Sequence, residues 1–128
     1  MNKGLEKDYF SLVRRLEESS RLGGIMGILH WDQEVIMPVG ASESRAQQIG
    51  SLAGVLHEKT THPEMGKLLD TLSKADVNGF TAFEWCNIRE AYREFHMATR
   101  VPKTLVTELA ELSSRTHQIW VKARSENN

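Results

Sequence analysis

Five histidines, one cysteine and a scatter of carboxylates are the groups with which this 128-residue chain could do chemistry. The segment that first suggests a metal is His57-Glu58-Lys59-Thr60-Thr61-His62. It is one residue longer than His-Glu-x-x-His, in which two histidines four apart face one ion from adjacent helical turns. A spacing of five leaves the two rings about 140° apart around a helix. Pro63 also assigns His62 to the start of the next helix. His57 and Lys59 then sit at a helix C-terminus, where the macrodipole favours them. His30, His96 and His117 are isolated and have no acidic neighbour at ligand spacing. The expectation is therefore no metal site and no catalytic residue within this chain. Cys86, next to Trp85, reads as a small core residue rather than a thiolate nucleophile. No serine stands in a Gly-x-Ser-x-Gly elbow, and there is no phosphate loop or dinucleotide fingerprint. The densest polar segment is His30-Trp31-Asp32-Gln33-Glu34, which follows an apolar run. Asp32 or Glu34 could act as general acid or base, although no partner group is visible. The plainer alternative is a polar helix end with Trp31 packed and Asp32 capping a neighbour.

The elements that must position these groups are helical almost throughout. Leu5, Tyr9, Leu12, Val13 and Leu16 step by three and four along one face, and the pattern continues through Leu22, Ile25, Met26, Ile28, Leu29 and Ile36. It stops at Pro38 and Gly40. Gly23, Gly24 and Gly27 lie inside this segment, each costing a helix about 1 kcal/mol against alanine. Either the helix breaks near Gly23-Gly24, or another element packs closely on the stripe Ser19, Gly23, Gly27; two helices, or one kinked helix, are preferred over a straight rod. A second helix starts at Ser42 as N-cap. Its face is Ile49, Leu52, Ala53 and Leu56, with Ala46, Gly50 and Gly54 leaving room for close packing. A third starts near Pro63, with Met65, Leu68, Leu69 and Leu72 inward. Asp76 to Gly79 is a turn signal. Thr81 and Glu84 have capping-box spacing before a fourth helix that carries Trp85, Ile88, Tyr92 and Phe95. Pro102 opens a fifth, which extends to about Ser125. In it Leu105, Leu109, Leu112, Thr116, Ile119 and Ala123 alternate steps of four and three, close to a heptad seam. Glu111 and Arg115 can pair across one of its turns.

The expected fold is all-α: five or six helices with short connections in one domain over 1–128, the last helix long, able to project, and carrying an apolar seam that needs a partner. Forty per cent hydrophobic and 26% charged residues make a globular balance. Sixteen basic against 17 acidic residues leave a net charge of -1, which gives no case for nucleic acid or an anionic membrane as partner. No stretch approaches the roughly 18 apolar residues of a membrane span. The N-terminus turns acidic before any apolar run and is not a signal peptide. A lone cysteine suits a cytoplasmic setting.

Leu29-His30-Trp31-Asp32-Gln33-Glu34, followed by Met37-Pro38 and Gly40, resembles the opening signature of the thermostable, or Taq-type, metallocarboxypeptidase family. Ser44-Arg45-Ala46-Gln47-Gln48-Ile49 with Leu52-Ala53 is similar to that family's next helix. Pro63-Glu64-Met65-Gly66, Asn87-Ile88-Arg89-Glu90, Ala98-Thr99-Arg100-Val101-Pro102 and Ser114-Arg115 with Trp120-Val121 continue the series in order. The resemblance implies an all-helical, metal-dependent carboxypeptidase that trims peptide C-termini. It implies a divalent ion, zinc or cobalt, on a downstream His-Glu-x-x-His helix, and typically a homodimer. Family members are several times longer, so the resemblance brings a fold and a function class but no catalytic or metal residue. It implies that His30, Trp31, Asp32 and Gln33 support or line the substrate groove. The chain then reads as an inactive N-terminal segment whose partners are the remainder of the polypeptide and the peptide substrate. The competing reading is a stand-alone helical interaction module that dimerises through its last helix. An independent metalloenzyme is the weakest reading, because the ligands are missing.

Overall fold

The computed structural model describes residues 3–128. Five α-helices follow in order: α1 Lys3–Val35, α2 Ser42–Thr60, α3 Pro63–Ser73, α4 Ala82–Ala98 and α5 Lys103–Ser125. Short 3-10 turns at Val39–Ala41 and Val77–Gly79 complete the chain, and no strand occurs among the described residues. The all-α expectation holds.

The helix ends follow local chemistry. Pro63 occupies the first turn of α3, and the Nδ1 of His62 accepts the Glu64 amide at 3.1 Å as N-cap. The Thr81–Glu84 capping box forms in full: the Glu84 amide donates to Thr81 Oγ1 at 3.2 Å, and the Thr81 amide donates to Glu84 Oε2 at 2.8 Å. Two expectations need correction. Ser42 does not act as an acceptor cap; its hydroxyl donates to the Val39 carbonyl at 2.7 Å. The first segment is one helix, not two, and no glycine in it has positive φ. A Cβ on Gly23, Gly24 or Gly27 would meet nothing within 4 Å, so no neighbour packs closely against these three glycines. The glycine penalty is small beside 33 residues of continuous helical hydrogen bonding, so the helix runs through.

The chain divides into two compact units, one running up to Ser20 and including Glu58–Val101, the other made of Arg21–His57 and Pro102–Asn128. The first unit has an apolar core: Tyr9 and Leu12 of α1, Met65, Leu69 and Leu72 of α3, Ile88 and Ala91 of α4. Trp85, Tyr92 and Phe95 pack at its margin. The Asn87 amide donates to the Tyr9 hydroxyl at 3.1 Å, satisfying the polar end of a buried ring. Gly66 lets the Phe95 ring in: a Cβ there would lie 2.8 Å from its Cζ.

The second unit is built differently. Its buried residues are Gln33 of α1, Ala46, Ile49, Gly50 and Gly54 of α2, and Ser114 of α5. The α2 glycines let α5 approach. Gly54 faces Lys103 and Thr107, Gly50 faces Glu111, and further back along α2 Glu43 meets Arg115. Rising numbers on α5 meet falling numbers on α2, so the two helices are antiparallel.

Candidate functional site

The polar segment at the end of α1 is divided by helical geometry. Successive residues turn by about 100°, so Trp31 and Gln33 point to opposite sides. His30 is exposed, and so is Trp31 at 56%, which corrects the reading of a packed tryptophan. Trp31 shares its outward face with Ile28 and Val35, and Ile25, Ile28 and Ile36 are exposed rather than inward as their spacing suggests.

Asp32 and Gln33 turn the other way and are tied down. Arg45 Nη2 lies 2.6 Å from Asp32 Oδ2, Nη1 donates to the Leu29 carbonyl at 2.7 Å, and Nε donates to Gln48 Oε1 at 3.1 Å. The guanidinium thus joins the last turns of α1 to the first turns of α2. The Asp32 carbonyl also accepts from the Ile36 and Met37 amides at 3.0 and 2.8 Å, closing the helix before Pro38. Gln33, 6% exposed, makes a reciprocal pair with Ser114, 3% exposed. The Ser114 hydroxyl donates to Gln33 Oε1 at 2.7 Å, and Gln33 Nε2 donates to the Ser114 carbonyl at 3.4 Å. Nearby, Arg115 grips both oxygens of Glu43 at 2.8 and 2.9 Å and reaches Glu111 at 3.1 Å. The guanidinium, with the Gln47 amide, holds the Glu43 carboxyl down at about 2 from its usual 4.5.

What this arrangement does chemically is position a helix end. Asp32 is engaged by a permanent cation and Gln33 by a buried serine, and neither faces a nucleophile. The Glu111–Arg115 pair expected from spacing forms, but no long-range partner of Arg45, Ser114, Glu43 or Arg115 is legible in the sequence. Their partners lie 13, 81 and 72 residues away, beyond any periodic signal.

Among the described residues, no three His, Cys, Asp or Glu side chains group to hold a metal ion. His57 belongs to α2, whereas His62 caps α3 through its Nδ1, as the extra residue between them implies. These donors do not fit the zinc or cobalt site of the family resemblance, and no reaction step runs through it here. Cys86 is exposed, contrary to the core reading, because it stands about 200° around α4 from the buried Ile88. In the first unit a recess of about 180 Å³ is lined by apolar side chains, among them Met65 and Phe95. Glu94 is its only charged lining residue, which leaves no acid–base pair.

The chain is similar to thermostable carboxypeptidase 1 of Thermus thermophilus, with 29% identity over 120 residues that cover 93% of this chain and 24% of the relative. It is also similar to carboxypeptidase 1 of Bacillus subtilis, with 26% identity over 125 residues, 96% of this chain and again 24% of the relative. The chain thus spans about a quarter of the length of these relatives, matching their N-terminal part. No solved structure matches it. A profile of the carboxypeptidase Taq (M32) metallopeptidases matches residues 11–128, and the chain belongs to that family.

Proposed function

We propose that this chain is the N-terminal helical segment of a metal-dependent carboxypeptidase that hydrolyses the C-terminal bonds of peptides. The in-order family match over residues 11–128, set against relatives of which the chain spans 24%, is the observation that carries this reading. The divalent metal, zinc or cobalt, belongs to the remainder of the polypeptide, and the 128 residues alone are inactive. His30 and Trp31 are the part of the signature that can meet substrate or the remaining polypeptide, since both are exposed, Trp31 on the same face as Ile28 and Val35. Asp32 and Gln33 are positioning residues that hold the end of α1 through Arg45 and Ser114. A cytoplasmic setting fits the lone Cys86. No helix among the described residues is long and apolar enough to cross a membrane.

The test is a chimera in which this chain replaces the matching quarter of the Thermus thermophilus enzyme. Metal-dependent release of C-terminal residues is expected; a folded, metal-loaded but inert chimera overturns the reading. Within it, Trp31→Ala should raise KM and Asp32→Asn should lower kcat. Unchanged kinetics in both remove the groove role. The 128-residue chain with added zinc or cobalt should trim no peptide, and trimming would show that it carries its own site.

The second reading, a non-catalytic interaction module of the same family, is favoured by one observation: the seam of α5 is exposed from Leu105 to Trp120.

A further inference from the structure

The recess of about 180 Å³ lies wholly within the first unit. Leu16 of α1, Met65 of α3, and Ala91, Phe95 and Ala98 of α4 wall it, with Thr60 at the end of α2. Small residues shape it. Two alanines keep the α4 wall thin, and the Phe95 ring is seated on Gly66, where no Cβ holds it off. The space is comparable with an apolar cavity of about 150 Å³, which stays dry and takes up benzene. Leu16, Phe95 and Ala98 are only half-buried, so this recess also opens to solvent and a ligand can enter without unfolding the unit.

Glu94 lines the same recess and is exposed. Acids close to it or to the other walls are balanced. Glu90, one turn earlier on α4, pairs with Arg89 and Arg93; Glu64, beside Met65, pairs with Lys67; Glu18, two residues beyond Leu16, pairs with Lys59. The Glu94 carboxylate makes no hydrogen bond or ion pair among the described residues. An apolar space with one uncompensated anion suits a ligand that is hydrocarbon at one end and cationic at the other.

We propose that this recess binds a small hydrophobic amine, an aromatic body carrying one primary ammonium. The body fills the space beside Phe95 and Met65, where a ring and a thioether sulfur both favour an aromatic neighbour. The ammonium pairs with the Glu94 carboxylate. A neutral ligand of the same shape leaves that carboxylate unpaired, and an anionic one meets it with like charge, so the order of preference is cation, neutral, anion. The recess is complete without α5 or the end of α1, and the binding holds whichever reading of the function is correct.

Titration of the nitrogen-15-labelled 128-residue chain with 2-phenylethylamine, 2-phenylethanol and 3-phenylpropionate tests it by nuclear magnetic resonance. Saturable shifts are expected at the amides of Met65, Ala91 and Phe95, with a Kd of about a millimolar for an amine of this size. The alcohol should bind about threefold more weakly and the acid more weakly still, and added salt should narrow these differences. Glu94→Gln, at an exposed site, should bring the amine down to the affinity of the alcohol and leave the alcohol unchanged. Ala98→Leu should fill the recess and abolish binding of all three, with the fold checked by circular dichroism. Nuclear Overhauser contacts from the ligand ring to Met65 and Phe95 place the amine independently of any variant. No saturable shift, equal affinity for the three probes, an amine preference that survives Glu94→Gln, or ring contacts only to the exposed leucines of α5 overturns the proposal.

Discussion

Gln33 and Ser114 share one buried site, and each satisfies the other's polar atoms. Gln33→Leu keeps the volume but strips the Ser114 hydroxyl and carbonyl of their partner, so it should cost about 1–3 kcal/mol in urea unfolding. Adding Ser114→Ala should recover part of that loss, since the orphaned hydroxyl goes too. Additive losses would show that the pair is not coupled. Glu43 makes the other testable residue-scale contact. Its carboxyl titrates near 2 in the folded chain and near 4.5 when unpaired. A depressed acid stabilises the fold at pH values above about 4.5, and that contribution is lost as pH falls through about 2. Wild type should therefore lose more stability than Glu43→Gln over this window, and the Glu43 carboxyl resonance should show the low midpoint. Its side chain is 60% exposed, so added salt should shrink the difference.

Glycines act differently from one helix to the next. In α1, Gly23, Gly24 and Gly27 have open space where a Cβ would go, so each Gly→Ala change should stabilise the chain by about 0.5–1 kcal/mol. In α3, Gly66→Ala drives a methyl into the edge of the Phe95 ring and should destabilise by about 1–3 kcal/mol. Thermal melts of the four single variants check both signs. A loss at any of the three α1 positions would mean that a neighbour does lie on that stripe. Helix α5 carries the same point further: its periodicity foretold a seam, and its fixed inner contacts turn that seam outward.

Over the whole molecule, apolar burial is uneven between the two units. The first buries Tyr9, Leu12, Met65, Leu69, Leu72 and Ile88, whereas Ile49 is the only large apolar side chain buried in the second among the described residues. Opening a unit costs roughly the apolar surface that it exposes. Hydrogen exchange should therefore be slowest at the amides of α3 and α4 around Leu69, Leu72 and Ile88. It should be markedly faster along α5 beyond Gln118. Equal protection in both would mean that the second unit's outward faces are covered in solution.

Most helices and their ends are legible from sequence alone, although the unbroken run of α1 and the start of α2 are not. Pro63, Pro102, the Thr81–Glu84 box and the faces of α3 and α4 act within about four residues, so local spacing is enough to place them. The signature at His30 to Gln33 was legible as a segment but not as a mechanism. Its chemistry depends on Arg45 and Ser114, brought in from 13 and 81 residues away. Open space beside the α1 glycines, the exposure of Cys86 and the outward turn of the α5 seam were likewise decided only by packing. A sequence determines which side chains share a face of a helix; which face is buried depends on the neighbours that the fold brings to it.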